Sequence, residues 1–154
     1  MAFIVRDPRI VDFDELNALG QWFQENSLYA ECGWSEQKAF ALLLAGIDPE
    51  SKTFMRMLEK DGQLIGFFLG HVSEYFFSNK KIAQEMAVVV HPGFRAEIYK
   101  PMLRLLKDFV DWAGAQEAHE VCIGITSGIA GPGYEKLLKR VGFNEVGTIL
   151  KMRC

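Results

Sequence analysis

The chain has 154 residues, of which 49% are hydrophobic and 24% are charged, a composition typical of a globular domain and not of a disordered chain. Its 17 Lys and Arg residues against 20 Asp and Glu residues give a formal charge of -3, and this balance, with no dense basic run, excludes a typical nucleic-acid-binding surface. The length predicts one domain over residues 1–154.

The sequence carries no feature of a secreted or membrane protein. Charged residues interrupt the first eleven positions, so no signal peptide is expected there. The longest apolar stretches, such as 64–70 and 86–90, fall far short of the roughly 20 residues that a membrane span needs. We therefore expect a cytoplasmic protein.

Cysteine and histidine are too scattered to indicate a disulfide framework or a metal centre. The residues concerned are Cys32, Cys122, Cys154, His71, His91 and His119. No two of them have the spacing of a zinc motif, and three cysteines cannot all pair. Cys122 falls in a predicted buried strand, where we expect an inert small hydrophobe. The sequence predicts no metal site.

The first half of the chain predicts a strand, two helices and a hairpin. Residues 2–6 read as a strand, and Asp12 and Ser35 are good N-caps for the two helices that follow. Residues 52–59 alternate in polarity, and Asp61-Gly62 is a strong hairpin signal before the long apolar strand 63–75.

The second half predicts alternating strands and helices. The elements are a strand at 82–90, a helix from about Pro101, a short buried strand at 120–125, a glycine-rich turn at 126–133, a helix at 134–140 and a closing strand or strand pair at 143–152. The order is β-α-α-β-β-β-α-β-α-β. It predicts an α/β fold with a mixed sheet, in which a right-handed crossover joins the parallel strands.

Two segments follow a pattern known from one enzyme superfamily. Residues 88–95 read Val-Val-Val-His-Pro-Gly-Phe-Arg, and Gly142-Phe143 follows the last predicted helix. In these segments and in its element order, the chain resembles the GNAT superfamily of acyl-coenzyme A-dependent N-acyltransferases. Over residues 126–143 it is also similar to GNAT-like proteins encoded in phage genomes, and a phage protein of this kind would be expected in the host cytoplasm.

The resemblance implies that acetyl-coenzyme A is the acyl donor and lies in a V-shaped cleft between two parallel strands. Backbone groups of Val88, Val89 and Val90 would pair with its pantetheine arm. Its pyrophosphate would bind at the turn and helix start, a suitable anion site. That segment carries Arg95, Ala96, Ile98 and Lys100.

The phosphate-binding segment departs from the superfamily pattern. Members place small residues, usually glycine, three and five positions after the arginine, so that backbone approaches the phosphates. Here these positions are Ile98 and Lys100, and Pro101 removes one N–H from the helix start. The charges of Arg95 and Lys100 either compensate by binding pyrophosphate or form a solvated basic pair.

Acyl transfer to an amine needs a base and an acid. From its place on the signature strand, Glu85 is the candidate base; the alternative is an exposed charge at a strand start. The superfamily's usual tyrosine position is Leu138 in this chain, and Tyr134, one helical turn earlier, is the candidate acid. The alternative for Tyr134 is a packing residue with its hydroxyl in water.

Two functions follow from these residues. The first is an N-acetyltransferase that acts on a primary amine of a small molecule or a protein. The alternative is a catalytically inactive GNAT-fold scaffold that binds a protein partner, which Ile98, Lys100, Pro101 and Leu138 favour. The aromatic residues Trp22, Phe23 and Trp34 supply either core or the interface of a homodimer.

Overall fold

A computed structural model describes residues 2–125 and 132–154. Within them the strands are β1 (Phe3–Arg6), β2 (Thr53–Lys60), β3 (Gln63–Glu74), β4 (Lys81–Val90) and β5 (Ala118–Cys122), and the α-helices are α1 (Phe13–Glu25), α2 (Glu36–Ile47), α3 (Tyr99–Ala115) and α4 (Pro132–Val141). The strands form one sheet in the order β1-β2-β3-β4-β5, antiparallel up to β4 and parallel between β4 and β5. The predicted α/β class and mixed sheet are confirmed.

Local signals in the sequence place several of these elements correctly. Asp61 and Gly62 both have positive φ angles, of 53° and 79°, which is the two-residue turn that matches the twist of a hairpin. The side chain of Ser35 accepts a hydrogen bond of 3.3 Å from the backbone N–H of Lys38 and so caps α2. Gly142, with φ at 119°, follows α4 as a left-handed C-cap.

Helices cover both faces of the sheet. On one face α1 and α2 pack through Leu16, Leu19 and Leu43 against the sheet. On the other face α3 packs through Phe109, which reaches Phe54 and Phe68. Because both faces are covered, β3 is a nearly unbroken apolar run, as buried strands are. No helix in the described ranges is long and apolar enough to span a bilayer.

The predicted closing strand at 143–152 is wrong, because residues 143–154 contain no helix or strand. Their apolar residues, Val146, Ile149 and Leu150, do not alternate with a period of two and are exposed. The end of the chain is instead held by Arg153, which binds the Glu31 carboxylate at 2.5 Å and the Leu28 carbonyl at 2.9 Å. The described order therefore ends β-α-β-α.

Three smaller predictions also need correction. Helix α3 begins at Tyr99, before Pro101, because proline is tolerated within a first helical turn. Strand β5 runs from 118 to 122 and lies at the sheet edge, so that Cys122 is exposed and not buried. The predicted turn at 126–133 lies for the most part outside the described residues.

Asp12 is the N-cap residue of α1, as predicted, but its side chain makes no capping hydrogen bond and instead anchors an ion-pair network. Its carboxylate accepts two hydrogen bonds of 2.8 Å from Arg6 and one of 2.7 Å from the Arg9 backbone N–H. Burial alone would raise the pKa of Asp12, but the bonds from Arg6 and Arg9 outweigh burial and hold this pKa below its ordinary value.

We expect Asp12→Asn to lower the free energy of unfolding by about 3 kcal/mol and Tm by about 10 °C, since it leaves a half-buried guanidinium short of its partner. Thermal unfolding at pH 7 measures the change. The deficit should shrink as pH falls toward the pKa of Asp12, where the wild-type carboxylate also loses its charge. Asp111→Asn, an exposed change on α3, is the control; an equal loss in both variants would contradict the assignment.

Candidate active site

The sheet opens between β4 and β5. The two strands pair from Lys81 with Ala118 to Gln84 with Cys122, and no pair follows among the described residues. The second half of β4 therefore keeps its bonds to β3, where Val88 to Val90 pair with Phe68 to Gly66, and leaves its other edge without a described strand. Val88, Val89 and Val90, predicted to bind the pantetheine arm, lie along this open edge.

A bulge in β4 decides which side chains face the cleft. Leu69 pairs with Ala87 and Gly70 with Glu85, so Met86 is an extra residue in β4. Ala83 packs toward α3, and Glu85, two residues on, shares its face. After the bulge the alternation shifts, and Val89 packs with α1 and α2 on the other face. The carboxylate of Glu85 thus lies where β4 begins to part from β5.

Glu85 is a half-buried carboxylate and not an exposed charge. Burial raises its pKa to about 7, and a hydrogen bond from the backbone N–H of Gly124, at 3.4 Å from its Oε2, opposes the rise. Gly124, the second residue after β5, thus donates to the side chain of Glu85 where the sheet would otherwise have a backbone bond. A carboxyl group with a pKa near 7 exchanges protons readily at neutral pH, as a general base does.

Tyr134 lies at the start of α4, and its hydroxyl is buried without a hydrogen-bond partner in the described structure. Burial raises the pKa of this phenol above its ordinary value, and the negative charge of Glu85 raises it further. The phenol therefore keeps its proton at neutral pH.

The predicted phosphate-binding residues lie where β4 leads into α3. Arg95 and Ala96 belong to a 3₁₀ turn, Pro92–Glu97, that follows β4 directly. The Arg95 guanidinium lies 5.9 Å from the centre of the Trp22 ring on α1. Lys100 is the second residue of α3, and its side chain is exposed.

Ile98 faces the protein interior. It is only partly exposed and packs against the core beneath α3, and its carbonyl accepts a 2.8 Å bond from the Met102 N–H. Since Pro101 has no N–H, the first turn of α3 keeps the N–H groups of Tyr99 and Lys100 for an outside partner. The site thus has fewer backbone donors than a glycine-rich turn would give, and relies more on side-chain charge.

Sequence reasoning missed two contacts near the candidate site. The guanidinium of Arg140, on α4, donates a hydrogen bond of 2.8 Å to the Tyr99 hydroxyl and lies 5.8 Å from the centre of that ring. Nothing in the local pattern signals this contact, because the two residues lie 41 positions apart. The bond from the Gly124 N–H to Glu85 could not be predicted from the sequence either.

Within the described ranges, no three His, Cys, Asp or Glu side chains are grouped as metal ligands are.

Comparison with known proteins rests on structure, because no family model matches the sequence and no curated protein matches it significantly. An acetyltransferase from Trypanosoma brucei superimposes with a TM-score of 0.71 at 12% identity, over 99% of this chain and 100% of that one. Glucosamine-6-phosphate N-acetyltransferase from Arabidopsis thaliana gives 0.72 at 13% identity, over 99% of each chain.

A third similar structure is the aminoglycoside N-acetyltransferase AAC(6')-Iy in complex with the bisubstrate analogue CoA-S-monomethyl-acetylneamine. It gives a TM-score of 0.73 at 13% identity, over 100% of this chain and 99% of that one. The fold expected from the resemblance is therefore confirmed. The chain has the GNAT acetyltransferase fold, with its bulged strand and splayed parallel pair.

Proposed function

We propose that this protein is an N-acetyltransferase that transfers the acetyl group of acetyl-coenzyme A to a primary amine. The observation that carries the proposal is the half-buried carboxyl group of Glu85 where β4 parts from β5, together with the buried hydroxyl of Tyr134 at the start of α4. Here a carboxyl group with a pKa of about 7 and a protonated phenol with a free hydroxyl serve opposite proton transfers.

The residues present fit the coenzyme. The open edge of β4 offers backbone groups to an extended arm, and the turn at its end offers Arg95 and Lys100 to phosphates. When bound, acetyl-coenzyme A supplies a thioester whose carbonyl carbon an amine can attack.

Each proton of the reaction then has a group to serve it. Glu85 would take one proton of the ammonium, directly or through a water, and the free amine nitrogen would then bond to the acetyl carbon. As the C–S bond breaks, Tyr134 would give its proton to the departing sulfur. The nitrogen loses its second proton as the amide forms; this proton would return to the Tyr134 phenolate, and Glu85 would release its own proton to solvent, which restores the site.

The acceptor we propose is a primary amine of a small molecule or a protein. The similarity to enzymes that acetylate an aminoglycoside or glucosamine 6-phosphate supports an amine acceptor. Identities of 12–13% to these enzymes are too low to specify which amine this chain acetylates.

A direct test combines titration calorimetry with acetyl-coenzyme A and a mass-spectrometric acceptor screen. Mass detection is preferable to a thiol reagent, because Cys32, Cys122 and Cys154 are all exposed and would react. We expect micromolar binding, about tenfold weaker in Arg95→Ala, and acetylation of at least one amine. Absence of binding at millimolar ligand would contradict the proposal.

The second candidate, an inactive scaffold, is favoured by one observation: the loss of the glycine backbone at Ile98 and Lys100 together with Pro101. It predicts no binding of acetyl-coenzyme A, and a protein assembly that survives both Glu85→Ala and Arg95→Ala. The same calorimetric titration therefore separates the two candidates.

A further inference from the structure

The arginines of this chain divide into two groups. Five of them bind carboxylates, namely Arg6, Arg9, Arg56, Arg104 and Arg153. The other two, Arg95 and Arg140, have no carboxylate partner in the described part of the chain. Both lie near the start of α3, which Arg95 precedes by four residues and Arg140 reaches from α4.

Both unpaired arginines are held by aromatic rings. Arg95 lies against Trp22, and Arg140 lies against Tyr99 while it donates one N–H to the hydroxyl of that ring. A guanidinium that packs on a ring keeps most of its N–H donors for other partners. These contacts position the two cations without neutralising them.

Carboxylates do lie on the same elements, but other cations bind them. Glu97, in the turn before α3, binds Lys60 at 2.8 Å, and Glu135, on α4, binds Lys139 at 3.0 Å. The positive charge of Arg95 and Arg140 is therefore left uncancelled beside acids that are already paired. An anionic ligand near the start of α3 would be attracted to both cations. The attraction is stronger than in bulk water, because the effective dielectric constant near the protein surface is lower.

The two arginines contact helices on opposite faces of the sheet. Trp22 belongs to α1, which packs on one face of the sheet, whereas α4 packs with α3 on the other. A ligand that ran from the open edge of β4 to the start of α3 would therefore have one arginine toward each face. Two cations on opposite sides suit two separate phosphate groups better than one.

Building on the function proposed above, we propose that Arg140 binds the 3′-phosphate of acetyl-coenzyme A, while Arg95 serves the pyrophosphate. The two parallel N–H donors of the Arg140 guanidinium can bind two oxygens of a terminal phosphate. Such a phosphate carries more negative charge than either phosphate of the pyrophosphate. Tyr99 is a positioning residue, since its ring and hydroxyl orient the fork. This arrangement offsets the lost glycine backbone with contacts at the nucleotide end of the coenzyme.

Titration calorimetry with acetyl-coenzyme A and its 3′-dephospho form tests this assignment. We expect Arg140→Ala to weaken binding of acetyl-coenzyme A about tenfold. Wild type should bind the dephospho form about as weakly, and Arg140→Ala should weaken that binding no further. Arg140→Lys should fall between, because it keeps the charge and loses the fork. Lys107→Ala removes an exposed cation from α3 and should leave both affinities unchanged.

The outcomes separate this assignment from the function on which it rests. Equal losses for both ligands in Arg140→Ala, or no loss for either, would overturn the role of Arg140 while wild-type binding upholds the cofactor. If wild type bound acetyl-coenzyme A and its dephospho form equally well, the role of Arg140 at the 3′-phosphate would also be overturned, while binding of the cofactor would stand. Wild type that binds neither ligand at millimolar concentration would overturn the function and the assignment together. Circular dichroism of Arg140→Ala shows whether any loss comes from unfolding.

Discussion

Glu85→Gln should lower kcat for acetyl transfer about 10²–10³-fold, the usual worth of a general base. The amide is nearly isosteric, so the Gly124 N–H keeps an acceptor and the affinity for acetyl-coenzyme A should change little. Steady-state kinetics with the acceptor found by screening measure the loss. It should appear in kcat and not in the dissociation constant of the coenzyme, because the role proposed for Glu85 is to deprotonate the acceptor amine.

The pH dependence gives this prediction its sharpest form. In wild type, kcat/KM should rise with pH to a plateau with an apparent pKa of about 7, the value that burial gives Glu85. The variant should lose this step. Glu74→Gln, which alters an exposed carboxylate at the end of β3, is the matched control and should retain both rate and profile. A full rate in Glu85→Gln would exclude Glu85 as the base.

Glu85 should also make the free energy of unfolding depend on pH. Its folded-state pKa of about 7 lies above the ordinary value of 4.5, so between these values the folded chain holds a proton that the unfolded chain releases. Stability from this group therefore falls as pH rises through that window. At pH 8 we expect Glu85→Gln to be more stable than wild type by about 2 kcal/mol, with solvent screening allowed for. At pH 4 the two should unfold alike.

Much of the fold could be predicted because local residues decide it. Asp61-Gly62 fixes one hairpin through its backbone angles, and Ser35 starts one helix through its hydroxyl. The end of the chain could not be predicted in this way. Its apolar residues suggested a strand, but strand formation depends on a partner edge, and Arg153 instead binds the loop after α1.

For the candidate site, the sequence predicts the element on which a residue lies but not the contacts between distant residues. Residues 88–90 end β4, and Arg95 lies in the turn that comes after it, at the places that their order in the sequence predicts. The partners of Glu85 depend instead on the bulge at Met86 and on the parting of β4 from β5, which arise from tertiary packing. Likewise, Arg140 gains its place only when α4 packs beside the start of α3.

Tyr134→Phe should lower kcat about 10–100-fold and at the same time raise stability slightly. The hydroxyl is buried and has no hydrogen-bond partner in the described structure. Its removal therefore relieves the folded chain of an unsatisfied polar group, which is worth about 1 kcal/mol here. Initial rates and thermal unfolding at the same pH measure both effects. A catalytic tyrosine predicts opposite signs in the two measurements, whereas a packing tyrosine predicts no loss of rate.

Tyr75→Phe is the matched control for this pair of measurements. Its hydroxyl donates a hydrogen bond of 2.5 Å to Glu120, beside the part of β4 and β5 that still pairs. Its removal should leave the rate unchanged and bring no gain in stability, since the lost bond satisfies a charged partner. A loss of rate in Tyr75→Phe as large as that in Tyr134→Phe would mean that the rate responds to general changes in packing. A loss confined to Tyr134→Phe, with its fold intact and more stable, would locate the acid of the reaction at the start of α4.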